Sequence, residues 1–214
     1  MRYQSKKQWI IKHVKDKKVL DLGCVAHSLA RTEEQGWLHG VIREHARSVV
    51  GVDCLQDEVR TLKKQGHDVV CANVEAMELG EKFEVIVAAD IVEHLSNCGK
   101  FMERVREHLA PGGLLLLTTP NPVHLLRFVQ LLFLGRVIAN PEHTCWFTQE
   151  VLSQLAGRYG LEIVDVAYID LSYQNLGFKW LPFFFLNSIL RWIRPKFCET
   201  LAFTLKPKTT DKVQ

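Results

Sequence analysis

Asp90-Ile91-Val92-Glu93-His94-Leu95 and Pro141-Glu142-His143-Thr144-Cys145-Trp146-Phe147-Thr148 are two stretches rich in groups that bind cations or move protons. Asp90 and Glu93 stand three apart, so one helical turn would point both carboxylates the same way, with His94 beside them. His143 adds a second imidazole, giving two oxygens and two nitrogens. Three roles fit these residue types. The set Asp90, Glu93, His94 and His143 suits a divalent ion, Mg²⁺, Mn²⁺ or a similar metal, that chelates two adjacent hydroxyls and lowers the pKa of one of them. Without a metal, His143 or His94 would take the hydroxyl proton as general base. In the third reading Glu93 and His94 only cap and orient a helix start.

A second set closes a series of short apolar runs: Val19-Leu20-Asp21-Leu22-Gly23-Cys24, Val50-Gly51-Val52-Asp53, Ala72-Asn73-Val74-Glu75 and Ala88-Ala89-Asp90. In an open parallel sheet, ligands sit beyond the carboxyl ends of the strands, so these residues carry a binding site. An acid after the second strand can take both hydroxyls of a ribose, which gives Asp53 that role. Gly23 allows a ligand close to the backbone.

The elements that must position both sets follow from hydrophobic period. Residues 5–13 read as a basic amphipathic helix, and 19–23, 49–52, 69–71, 84–89 and 114–118 as buried strands. Helices are predicted over 37–46, 55–65 and 97–109, the last stopped by Ala110-Pro111-Gly112-Gly113. Strands alternating with helices predict βαβ units on a parallel sheet, with right-handed crossovers. Pro120-Asn121-Pro122 then opens a very apolar segment, 123–138, read as a covering helix and closed by Asn140-Pro141. A capped helix is predicted over 148–158, and strands over 161–168 and 198–205. The segment 176–193 is apolar but interrupted by Lys179, Pro182, Asn187, Ser188 and Arg191, too broken for a span of about 20 apolar residues. The polar end, 207–214, is expected to fray.

Composition narrows the class. With 214 residues, 47% hydrophobic and 24% charged, the chain can bury one sizeable core. A net charge of +3, with only short basic runs at 15–18 and 191–196, does not favour a nucleic-acid partner, which would want a basic groove bearing aromatic residues. Cys24, Cys54, Cys71, Cys98, Cys145 and Cys198 form no CxxC pair, and no signal peptide precedes them. Reduced thiols in a cytoplasmic protein are expected rather than a disulfide scaffold or zinc ribbon.

On these residues the sequence resembles the class I S-adenosylmethionine-dependent methyltransferases, particularly the ubiquinone-biosynthesis-type O-methyltransferases. Asp90 to His94 resembles the ExxEH motif of metal-dependent O-methyltransferases, including the small-RNA 3'-terminal 2'-O-methyltransferases. His143 before Trp146-Phe147 resembles their later His and aromatic pair, and Thr118-Thr119-Pro120-Asn121 also matches. The resemblance covers residues 19 to about 160 and implies an α/β, Rossmann-like, seven-stranded, mostly parallel sheet with helices on both faces and an antiparallel last strand. It implies S-adenosylmethionine bound by Asp21, Gly23, Cys24, Asp53, Asn73, Val74 and Asp90. Asn73 stands where the family has Asp near the adenine amino group, Val74 would offer its NH to the ring, and Asp21 would orient the loop or reach the methionine amine. Glu93, His94 and His143 are the implied catalytic residues, and with Asp90 the implied metal ligands.

The sequence departs from the family in three places. The family loop reads Asp-x-Gly-x-Gly-x-Gly, whereas Asp21-Leu22-Gly23-Cys24-Val25-Ala26-His27 lacks two of the glycines. The Asp21 to Asp53 spacing is about ten residues longer than usual, which predicts an extra loop at 27–37 over the cofactor. Asp90 replaces a Glu, which shortens its reach. A nicotinamide-binding domain would need a GxGxxG that is absent.

The implied activity is O-methylation of a hydroxyl on a small molecule, sugar or lipid-linked glycan by one domain, 1–206. The other class is a non-catalytic cofactor-binding or scaffold protein with a degenerate loop. The apolar insertions, 123–140 and 172–197, have two readings. One is a lid with a homodimer interface. The other is peripheral membrane contact through Trp180, Phe183, Phe184, Phe185, Ile189 and Trp192 beside Lys179, Arg191, Arg194 and Lys196.

Overall fold

The computed structural model describes residues 2–3, 5–32, 36–169 and 181–209. In chain order the elements are β1 (Arg2–Tyr3), α1 (Lys6–Val14), β2 (Lys18–Leu22), α2 (Leu29–Thr32), α3 (Leu38–His45), β3 (Ser48–Asp53), α4 (Gln56–Lys64), β4 (Val69–Cys71) and β5 (Phe83–Ala89). There follow α5 (Cys98–His108), β6 (Leu109–Pro120), α6 (Leu125–Leu134), α7 (Gln149–Arg158), β7 (Leu161–Ile169), α8 (Leu181–Ile193) and β8 (Thr200–Pro207).

The strands form one sheet in the order β1-β7-β8-β6-β5-β2-β3-β4. Strand β8 runs antiparallel to β6 and β7, and every other neighbouring pair is parallel. This is the expected seven-stranded sheet with its last strand reversed, extended at one edge by the two-residue β1 against Tyr168 and Ile169. Strand order reverses between β2 and β5, which opens a crevice at their carboxyl ends.

The apolar runs form strands because both faces of the sheet are covered, so successive side chains must all be apolar. Leu20, Leu22, Ile86, Leu115 and Leu117 point into a core with Phe101 and Met102 of α5 and Leu152 of α7. Val19, Val85, Val87 and Leu116 point the other way, onto Trp9 and Ile10 of α1 and Ile42 of α3. Three helices start on polar caps, of which the one at Thr148 is the expected cap. Ser5 accepts from the Gln8 amide at 3.2 Å, Asn97 from Lys100 at 2.9 Å and Thr148 from Val151 at 3.3 Å.

Four boundaries differ from expectation. The covering helix is α6 alone, ended by Gly135 at φ 66°, the left-handed stop that glycine supplies. The segment 110–113 does end α5, yet the sheet ladder begins at Leu109 opposite Phe83 and resumes at Leu114 opposite Val85. Strand β8 begins at Thr200 rather than 198, because Cys198 and Glu199 still belong to the bend after a single 3-10 turn, Pro195–Phe197. Of the end expected to fray, Pro207 pairs with Leu161 and the Lys208 amide donates to the Gly160 carbonyl at 2.8 Å. Lys179, Trp180, the Phe184 side chain and residues 210–214 lie outside what the structure describes.

Candidate active site

A cavity of about 780 Å³ lies at the carboxyl ends of β2, β3, β4 and β5, and Asp21, Gly23, Cys24, Asp53, Asn73, Val74 and Asp90 all line it. The loop after β2 folds back on β3, with the Gly23 and Cys24 amides both donating to the Val52 carbonyl, at 2.8 and 3.3 Å. Asp53 holds that loop to the start of α4. One carboxylate oxygen accepts from the Val25 amide at 3.0 Å and the other from Leu55 at 3.2 Å. The Trp37 indole donates to the Cys24 carbonyl at 2.7 Å. Burial and the nearby acids raise the Cys24 thiol well above its ordinary pKa, so it stays protonated.

Gly23 sits at φ 75°, and a Cβ there would lie 2.3 Å from the Ile91 Cδ1. Gly23→Ala is expected to cost about 1–2 kcal/mol in chemical denaturation, from the left-handed backbone alone. Unchanged stability would contradict that account. Ala26 and His27 also adopt φ 57° and 75°, so the loop keeps left-handed backbone without glycine there. The bonds from Asp53 and Trp37 hold it in place.

Asp21 is 2% exposed, with its carboxylate 2.9 Å from the Nδ1 of His39. Burial raises the Asp21 pKa, and His39 pulls it partly back. His39 on α3 is buried and also lines the cavity. Sequence reasoning missed it, because nothing in the pattern 18 residues beyond Asp21 marks it as a partner. The exposed Asn73 spends its side-chain oxygen on the Glu75 amide at 2.9 Å, a turn within its own loop. Glu75, also missed, accepts from the Ser96 and Asn97 amides at 2.8 and 2.9 Å and ties that loop to the segment beyond Glu93. Asp90, at φ 55°, accepts from the Thr118 hydroxyl at 2.7 Å and pairs with Lys6 of α1.

Glu93, His94 and His143 come together, with one donor atom from each within 4.8 Å of the others. Asp90 is not in this group, which corrects the four-ligand expectation: its carboxylate is held by Thr118 and Lys6 instead. The helix-cap reading is also corrected, since the 3-10 turn Val92–His94 has no side-chain cap and α5 is capped by Asn97.

Glu93 is fully buried, and neither of its oxygens has a hydrogen-bond partner among the described residues. Burial, aided by the Asp90 charge, pushes its pKa up to about 7, while its own backbone amide and the nearby Thr119 hydroxyl pull the other way. The His94 and His143 rings meet edge to face, 4.7 Å between centroids. The His143 Nδ1 is buried and unpartnered, and burial lowers its proton affinity, with His94 second. What places His143 there is Thr144, whose amide donates to the Glu93 carbonyl at 2.8 Å and whose hydroxyl donates to the Leu95 carbonyl at 2.6 Å. His27 packs on His94 at 5.9 Å, and the Glu142 carboxylate lies 3.9 Å from the Nδ1 of each. His27 and Glu142 both line the cavity, as does His94. Orphaned carboxylate and imidazole atoms facing one another are a donor set that fits a divalent cation.

A family model described as "Methyltransferase domain" matches residues 4–166. The ubiquinone biosynthesis O-methyltransferase of Bradyrhizobium sp. (strain ORS 278) is 32% identical over 110 residues, 49% of this chain and 40% of that protein. The mitochondrial ubiquinone biosynthesis O-methyltransferase of Mus musculus is 30% identical over 166 residues, 70% of this chain and 42% of that protein. The match thus spans about two fifths of the length of these curated relatives. Among solved structures, the 1,6-didemethyltoxoflavin-N1-methyltransferase of Burkholderia thailandensis, with 1,6-didemethyltoxoflavin and S-adenosylhomocysteine bound, superposes with a TM-score of 0.61 at 15% identity. That superposition covers 95% of this chain and 76% of the other and speaks for the fold. With its strand-end acids around one cavity and the family match running from residue 4 to 166, the chain belongs to the methyltransferase domain family.

Proposed function

We propose that the protein transfers a methyl group from S-adenosylmethionine to a hydroxyl oxygen. The observation that carries this reading is that seven residues from four strand ends line one cavity, together with His94 of the Glu93, His94 and His143 group. S-adenosylmethionine supplies a methyl on a sulfonium, open to in-line attack. In this reading Asp53 accepts from the ribose hydroxyls on the lone pairs that Val25 and Leu55 leave, Asn73 and Val74 face the adenine, and the Gly23 backbone lies along the methionine. Asp21 acts through His39, holding the loop after β2.

His143 and His94 stand where a substrate hydroxyl would give up its proton, and the lowered proton affinity of His143 keeps its ring neutral and able to accept. Glu93, His94 and His143 are also the residues that would hold a divalent ion, whose Lewis acidity lowers the pKa of a bound hydroxyl. Two imidazoles favour Mn²⁺ or a similar ion over Mg²⁺. The O-methyltransferase names of the curated relatives support oxygen as the acceptor atom. A small molecule, sugar or lipid-linked glycan with adjacent hydroxyls fits the cluster, and residues 1–206 act as one cytoplasmic catalytic unit.

Calorimetric titration with S-adenosylhomocysteine, with Mn²⁺ and again after EDTA, tests the reading. Saturable binding in both is expected, followed by methylation of vicinal-hydroxyl acceptors that metal accelerates. No binding in either condition would overturn it, and binding without turnover on any hydroxyl acceptor would favour the scaffold alternative.

A further inference from the structure

Twelve of the fourteen exposed large hydrophobic residues among those described fall in 123–138 and 185–193, on and around α6 and α8. Phe133 and Phe185 are 76% and 71% exposed, and Trp192 is 77% exposed. Such a concentration marks a surface that is covered in use. The two helices are neighbours, since Leu125, Phe128 and Leu131 of α6 share an apolar groove of about 510 Å³ with Leu190 of α8.

Within the two segments the charge has one sign, although Lys196 pairs with Glu150 of α7 at 3.1 Å. Residues 109–141 and 181–198 contain no Asp or Glu, while they carry Arg127, Arg136, Arg191, Arg194 and Lys196. Arg136 and Arg194 are exposed. No described helix is long and apolar enough to cross a membrane.

We propose that α6 and α8 form a face that docks on an anionic lipid bilayer, lying in its surface with the arginines at the headgroups. Apolar side chains beside cations on helices of 10 and 13 residues are the chemistry of interfacial attachment. A second copy of the chain is the poorer occupant. A two-fold interface sets a patch against itself, and here it would oppose arginine to arginine with no acid within either segment. The face also leads to the reacting centre. Its groove meets, at His124 and Arg127, a chamber that shares Lys6, Lys7 and Asp90 with the cofactor cavity. That route matters only under the methyl-transfer reading, whereas docking does not depend on it.

Flotation with vesicles of phosphatidylcholine alone or with phosphatidylglycerol, at low and high salt, tests the proposal. The protein is expected to float at least tenfold more with the anionic vesicles and to be partly released by salt. Arg136→Gln and Arg194→Gln should each lower binding about fivefold, and Phe133→Ser with Phe185→Ser should abolish it. S-adenosylhomocysteine binding, unchanged in every variant, shows that they fold. If no variant and no wild-type protein binds that ligand while flotation persists, the methyl-transfer reading fails and docking stands. Protein that stays soluble with anionic vesicles overturns docking, as does a dimer that the two serine substitutions dissociate.

Discussion

Asp53→Ala is expected to weaken S-adenosylhomocysteine binding at least 100-fold in calorimetry. Two charge-assisted hydrogen bonds to a ribose are worth about 1.5–3 kcal/mol each, and the same substitution removes both anchors of the loop after β2. The Val25 and Leu55 amides would lose their acceptor, at a cost of about 1–3 kcal/mol for each that stays buried, so stability should fall as well. Asp53→Asn separates the two effects. Its remaining oxygen can keep one loop bond while the charge is gone, so stability should largely recover and affinity should not. Wild-type affinity in Asp53→Ala would mean that the ribose lies elsewhere.

His143→Ala should lower kcat by about 10²–10⁴ if that ring takes the hydroxyl proton. Glu93→Gln should do so only through a metal, and it has a second signature in stability. The Glu93 pKa is raised from 4.5 to about 7 by burial, so the folded protein holds a proton that the unfolded chain has released across that window. Metal-free stability therefore falls as pH rises from 4.5 through 7, by about 3 kcal/mol for this group. Asp21, also raised by burial, acts in the same sense.

His124 works in the opposite direction. Burial lowers its pKa from 6.5 to about 4, so the unfolded chain binds the extra proton and stability falls as pH drops through that range. The opposed slopes blunt the pH dependence of the wild type. Glu93→Gln should remove one of them, leaving a protein more stable at pH 8 and more sensitive to acid. Mn²⁺ should raise the wild-type Tm at pH 8, where Glu93 is ionised, and do little at pH 5. A Glu93→Gln protein with the wild-type pH profile and the wild-type response to Mn²⁺ would refute the carboxylate's role.

The parallel strands were legible because a sheet covered on both faces writes itself as runs rich in Val, Ile, Leu and Ala, continuous over residues 85–89 of β5 and broken only by Asp21 in β2 and Gly51 in β3. Strand β1 was not, since two residues carry no period. The strand-end acids were legible because position alone selects them. Their partners were not, because each is set by pairing across the fold: Lys6 with Asp90, His39 with Asp21, Thr144 with the Glu93 carbonyl. The missing glycines misled in a different way. They read as a degraded loop, yet Ala26 and His27 hold the left-handed backbone, and Trp37 and Asp53 fix Cys24 and Val25 immediately before it.

The position of β8 also sets an order of assembly. Strand β8, the latest in chain order among the described strands, lies inside the sheet, between β6 and β7, and β1 joins only through β7. On the ribosome, β2 to β6 can pair as they emerge, but β1 must wait for β7 and β8. So must the seating of Trp9, Ile10 and Val14, which share a core with Ala167, Ile169 and Ala202. Pairing across nearly the whole chain is slow, and until it happens the β6 edge stands open to other nascent chains. A chain cut before Thr200 would lose β8 and, with it, the only link of β7 and β1 to the rest of the sheet, and so the seat of the helix that brings Lys6 to Asp90.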